Sequence, residues 1–160
     1  MRWVWIDRVL ELETGRRLVA IKHVSLSEDH IHDHFVAEPE RGLRAMPVMP
    51  ASLIIEGMAQ SGGILVGHAN QFREKVVLAK VSKVELDREA GPGSTLPYTA
   101  VIERMDEGGA SVFGTVELMD HYKSGVAVKI GRIDLMFSHI DNNMSGMGFP
   151  RQTLPLLQIL

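Results

Sequence analysis

Glu56 and the histidines at 30, 32 and 34 are the residues of this chain whose types and spacing could do chemistry. Glu56 lies inside the run 46–67, MPVMPASLIIEGMAQSGGILVG. Placed at about 100° per residue, Ser52, Glu56, Gln60, Gly63 and Gly67 fall on one narrow stripe. Leu53, Ile54, Ile55, Met58, Ala59, Ile64, Leu65 and Val66 cover the rest of the circumference. The spacing predicts a helix buried nearly all round. A lone carboxylate in such a helix is costly, and it either finds a partner or keeps its proton. Glu56 therefore reads as half of a structural ion pair or hydrogen bond, or as a catalytic carboxyl in a dry cleft. Each mid-helix glycine costs about 1 kcal/mol relative to alanine, so Gly62 and Gly63 are expected to thin the helix for the close approach of a ligand.

The second group, SEDHIHDH at 27–34, places a histidine at every second position. On a strand, His30, His32 and His34 would share one face, and neutral imidazoles suit transition metals. No cluster of carboxylates at ligand spacing accompanies them, and Asp29 and Asp33 would point the other way. The expectation is therefore no metal.

The elements that must position these groups follow from local pattern. Pro47 and Pro50 suit an extended lead-in and a first helical turn, and Gly67 with Asn70 supplies a stop. Upstream, residues 9–13 and 17–24 flank a turn at Thr14-Gly15 and read as a hairpin, or as a helix followed by a strand. Trp3 and Trp5 read as core or interface residues. Residues 36–45, VAEPERGLRA, are charged, carry one proline and one glycine, and read as an exposed loop. Downstream, 76–84 reads as a core strand, followed by strands at 95–104, 110–119 and 126–137. Turns are expected at 91–93, 106–109 and 123–125. The Gly91-Pro92-Gly93 turn lacks the lysine and glycine spacing of a nucleotide loop. Several antiparallel strands with one long buried helix define an α+β domain over 1–140, with a flexible tail over 141–160.

With 160 residues, 45% of them hydrophobic, the chain suits one domain with a full core. The absence of cysteine excludes disulfides and thiolate chemistry, which is compatible with a reducing cytoplasm. Residues 1–7 are too short for a secretory signal. Glu56, Gln60 and several glycines interrupt the apolar helix, so no membrane span is expected and the protein is read as cytoplasmic. A net charge of −3 gives no reason to expect nucleic acid as a ligand.

The helix residues also carry a family resemblance. PVMPASLIIEGMAQSGG is similar to the helix signature of the β-hydroxyacyl-acyl carrier protein dehydratases of type II fatty acid synthesis, which runs approximately P-V-M-P-G-V-L-I-I-E-A-M-A-Q. His34-Phe35 resembles the family's His-Phe-Pro-Gly element, residues 133–137 resemble its final strand, and 91–96 resembles Pro-Gly-Asp-x-Leu with Ser94 at the acidic position. The resemblance covers roughly residues 5–140 and implies a single hotdog domain, an antiparallel sheet wrapped around the long helix. Two departures stand out. About eight extra residues separate His34 from Met46-Pro47, and Ala51 replaces a glycine.

The resemblance implies dehydration of 3-hydroxyacyl thioesters on acyl carrier protein to trans-2-enoyl thioesters, without metal or organic cofactor. His34 is the implied base for the Cα proton and Glu56 the acid for the departing hydroxyl. The first-turn N–H groups at Ala51 and Ser52 are expected to receive the thioester oxygen, with Gln60 also on the substrate side. The family places histidine and carboxylate of one site on different subunits, which implies a homodimer or a trimer of such dimers. Glutamate rather than aspartate in the helix favours plain dehydration over isomerisation. Arg73, Lys75, Lys80 and Lys83 follow the helix and are a candidate docking patch for the acidic carrier. Two rivals remain at this point. One is a hotdog acyl thioesterase using the same carboxylate, and the other a non-catalytic subunit or scaffold of a heteromeric dehydratase, suggested by Ala51 and the insertion.

Overall fold

The computed structural model describes residues 3–140, and the tail expected at 141–160 lies outside the described residues. The chain runs β1 (Arg8–Glu13), β2 (Arg17–His23), a one-turn helix α1 (Asp29–His32), a 3-10 turn (Pro39–Arg41), α2 (Ala51–Ala69), β3 (Lys75–Leu86), β4 (Ser94–Asp106), β5 (Gly109–Asp120) and β6 (Ala127–Ile140). The strands form one antiparallel sheet in the order β1-β2-β4-β5-β6-β3. The sheet wraps α2, which is the hotdog arrangement.

Strand periodicity fixes which face meets the helix. On β4, Leu96, Tyr98 and Ala100 are fully buried, and their register partners on β2 are Lys22, Ala20 and Leu18. From α2, Leu53, Ile54, Met58, Leu65 and Val66 complete one continuous core with Val112, Val116, Ile133, Leu135 and Phe137. β1 and β2 form the hairpin alternative of the expected pair, with Gly15 at φ 70° in the turn.

Two expectations need correction. Gly62 does not open the helix to a ligand, and neither does Gly57, whereas a Cβ at half-buried Gly63 would meet only the Phe137 ring at an ordinary 3.6 Å. A Cβ at Gly62 would lie 2.9 Å from the Phe137 ring, and one at Gly57 would lie 2.8 Å from the Tyr98 ring. The sheet's own aromatics fill the space, so the glycines let the sheet close on the helix. Nor is β3 a core strand. It is the edge of the sheet beside β6, with Val77, Leu78, Val81 and Val84 exposed. Its apolar residues look like core in sequence, but one side of the strand has no neighbour among the described residues.

Candidate active site

Helix α2 begins at Ala51 behind Pro50, whose fixed φ of −55° leads the chain into the first turn. The Pro50 carbonyl takes the amides of Leu53 and Ile54 at 2.9 and 3.2 Å. No side chain caps this end, and Ala51 and Ser52 are exposed. Their N–H groups have no acceptor among the described residues, so the positive end of the helix presents two open donors.

One turn along, Glu56 is half-buried and not alone. Gln60 donates through Nε2 to Glu56 Oε1 at 3.0 Å and to the Trp3 carbonyl at 3.0 Å, while its Oε1 accepts the Trp5 N–H at 2.8 Å. Because a backbone N–H can only donate, the Trp5 contact fixes which end of the amide faces Glu56. Both Nε2 hydrogens are thereby used. Gln60 thus holds Glu56 through Oε1 and leaves Oε2 open, so the carboxyl is half-buried and has the hydrogen-bond partner that one of the two sequence readings called for. Of the expected stripe, Ser52 is exposed, Gly63 is half-buried, and Gly67 is covered by the Phe72 ring, 2.7 Å from where a Cβ would stand.

The histidines do not lie on a strand. Residues 29–32 form α1, because the Glu28 carbonyl accepts the amides of Ile31 and His32 at 2.8 and 3.0 Å. The three rings therefore part company. His30 packs edge-on against Trp5 at 4.3 Å, His32 pairs with Asp33, and His34 is exposed with its ring tilted against Phe35 at 4.2 Å. Among the described residues no group of three or more His, Cys, Asp or Glu gathers as metal ligands.

A buried ion pair that the sequence reading missed anchors this segment. Lys22, only 5% exposed, reaches Glu28 at 2.7 Å and Asp7 at 3.3 Å. Glu28 also accepts the Ser25 amide at 3.2 Å, and Ile31 is fully buried below. The signal was present: Lys22 occupies the inward phase of a strand whose other inward residues are Leu18 and Ala20.

The loop at 36–45 is exposed throughout, as expected. It closes on itself through the Glu38–Leu43 bridge, an Arg41–Glu38 ion pair at 3.0 Å, and Gly42 at φ 67°. At its base the Met46 N–H donates to the Phe35 carbonyl at 2.9 Å, so the chain returns to the histidine segment before entering α2. His34 and Glu56 themselves share no hydrogen bond or ion pair among the described residues. After the helix, Arg73 donates to Gln71 at 2.7 Å, Lys83 pairs with Glu85 at 2.9 Å, and Lys75 and Lys80 lie with Lys83 on the exposed edge strand β3.

Residues 2–121 match the FabA-like domain. The chain belongs to the FabA-like family. It is 34% identical over 130 residues to the 3-hydroxyacyl-[acyl-carrier-protein] dehydratase FabZ of Symbiobacterium thermophilum, covering 81% of this chain and 86% of the relative. To the FabZ of Oenococcus oeni it is 34% identical over 115 residues, covering 70% and 77%. Among solved structures, the dehydratase heterocomplex ApeI:P of Xenorhabdus doucetiae aligns with a TM-score of 0.61 at 18% identity over 88% of this chain and 86% of that one. An acyl-CoA hydrolase mutant of Staphylococcus aureus in complex with coenzyme A aligns at 0.60 with 13% identity, over 79% and 66%. At such identities these two likenesses speak to the fold alone.

Proposed function

We propose that the chain is a 3-hydroxyacyl-[acyl-carrier-protein] dehydratase, converting 3-hydroxyacyl thioesters to trans-2-enoyl thioesters and water in fatty acid synthesis. What carries this assignment is the likeness in sequence to the FabZ dehydratases across most of their length, which includes the helix around Glu56. Dehydration needs a base at Cα, an acid at the β-hydroxyl and donors at the thioester oxygen. His34 is the base. Glu56, held by Gln60 through Oε1, delivers the proton from Oε2, and the open amides of Ala51 and Ser52 receive the developing oxyanion. Gln60, whose amide hydrogens are both in use, acts as a positioning residue for Glu56 rather than by touching substrate.

That His34 and Glu56 share no hydrogen bond or ion pair among the described residues of one chain fits a site assembled from two copies. The apolar edge of β3 fits a second copy pairing there, giving a homodimer. Arg73, Lys75, Lys80 and Lys83 supply the positive surface for an acidic carrier protein. The loop 36–45, rooted beside His34, acts as a lid at the entrance.

Incubation with a crotonyl thioester tests the assignment against hydrolysis. Hydration to the 3-hydroxy product with no free thiol is expected. Release of free thiol without hydration would contradict it.

A further inference from the structure

Residues 3–5 cross α2 at the turn that carries Glu56, and they are fixed there by Gln60 rather than by the sheet. The Gln60 amide grips the extended backbone at both the Trp3 carbonyl and the Trp5 N–H, and reaches Glu56 with its remaining hydrogen. A single amide group therefore links the carboxyl to the backbone of Trp3. The two indoles are treated differently. Trp5 is 5% exposed and stands edge-on to His30, whereas Trp3 stands edge-on to Trp5 at 5.2 Å and is 62% exposed.

A largely exposed aromatic, whose backbone is tied to a rigid helix by the same amide that holds a carboxyl, is built to meet an apolar ligand. On the dehydratase reading above, we propose that the Trp3 indole forms a wall of the acyl site and selects acyl chains by their apolar bulk. The ligand is committed by position. The carbon that loses its hydroxyl must come within hydrogen-bond reach of Glu56, so the chain beyond it leaves past the surface around that carboxyl, to which Gln60 ties the Trp3 backbone. Each methylene that gains full contact contributes roughly fourfold to kcat/KM. Trp3 is thus a specificity-determining residue, and Trp5 with Gln60 hold it in position.

Two measurements on the full chain test this. The first compares kcat/KM for short-chain and long-chain 3-hydroxyacyl pantetheine thioesters in the wild type, Trp3→Ala and Trp3→Phe. Trp3→Ala should lower the long-to-short ratio by about tenfold, the contact of one or two methylenes, and Trp3→Phe should restore part of it. The second uses fluorescence, since Trp3 and Trp5 are the two tryptophans of the sequence. An unreactive long-chain acyl thioether should shift wild-type emission to the blue and leave Trp3→Phe, whose remaining indole is already buried, unshifted. An unchanged ratio in an active Trp3→Ala enzyme, or a full shift persisting in Trp3→Phe, would overturn the assignment of Trp3. So would emission that turns blue with protein concentration alone, because a second copy would then cover the ring. Absence of enoyl product from every thioester, whatever stands at position 3, would instead count against the dehydratase reading.

Discussion

The Met46 N–H donates to the Phe35 carbonyl across 2.9 Å, so the ten residues 36–45 leave the histidine segment and come back to it. The ends of the excursion are paired before the loop begins. Excising 36–45 in favour of a Pro-Gly link should therefore preserve the fold, with stability changed by about 1 kcal/mol or less, since loop closure depends only weakly on length. The lid role proposed for the loop gives it a say in which acyl chains enter. Its removal should change the ratio of kcat/KM between short and bulky acyl groups, measured with pantetheine thioesters. An unaltered ratio in a stable, active enzyme would leave the loop as surface ornament.

Lys22 is nearly inaccessible and bridges two carboxylates from different parts of the chain. Glu28→Ala removes the closer partner and loosens the turn that leads to His34. Because Asp7 remains to neutralise Lys22, the loss should be about 1–3 kcal/mol rather than the larger penalty of a stranded charge. Urea denaturation would measure it. Lys22→Met, which replaces the cation with a side chain of similar length, should cost less in stability than Lys22→Ala. The reverse order would show that the packing of the stem does not stabilise this site.

The β3 edge presents Val77, Leu78, Val81 and Val84 to solvent in the isolated chain. Covering by a second copy predicts that Val77→Lys combined with Val81→Lys yields a folded monomer with little turnover, because like charges would face each other across the pairing. Light scattering together with circular dichroism checks this. A double variant that stayed dimeric and active would place the interface elsewhere.

Tyr98 lies under α2, and its phenol is raised well above the ordinary 10.0, first by burial and second by the negative charge of Asp7. The folded protein holds this proton where the unfolded chain releases it. The phenol's contribution to stability is therefore complete below the unfolded value and is lost as pH rises above it. Tyr98→Phe has no proton to lose in either state. Urea midpoints taken between about pH 9 and pH 11 should fall more steeply for the wild type than for Tyr98→Phe. Parallel slopes would mean that other groups govern alkaline unfolding.

Much of this architecture was legible in residue order. The apolar circumference around Glu56 gave α2 almost to its ends, and alternation with glycine turns gave β4, β5 and β6. Other features were hidden because they depend on partners remote in sequence. Val77 and Val81 have the pattern of core residues, and only the strand order reveals that β3 is an edge. Gly62 faces Phe137 from a distant strand, so the glycine could not announce what would fill its place. The alternating histidines were read with strand periodicity, whereas Glu28 turns the backbone into α1. Gln60 meets Trp3 and Trp5 across more than fifty residues, a bridge to Glu56 that residue order could not announce.

The central claim, dehydration by His34 and Glu56 contributed by different subunits, is tested most directly by mixing two inactive variants. His34→Ala and Glu56→Gln should each fold and each lose nearly all hydration of crotonyl thioester, because a methyl cannot accept the Cα proton and an amide cannot deliver the acid proton. Unfolded and refolded together in equal amounts, half of the dimers pair one of each, and each mixed dimer holds one site with both groups intact. Activity should return to about one quarter of the wild-type level. Mixed dimers that form but remain as inactive as the parents would contradict the shared site, and a fully active single variant at either position would remove that residue from the chemistry.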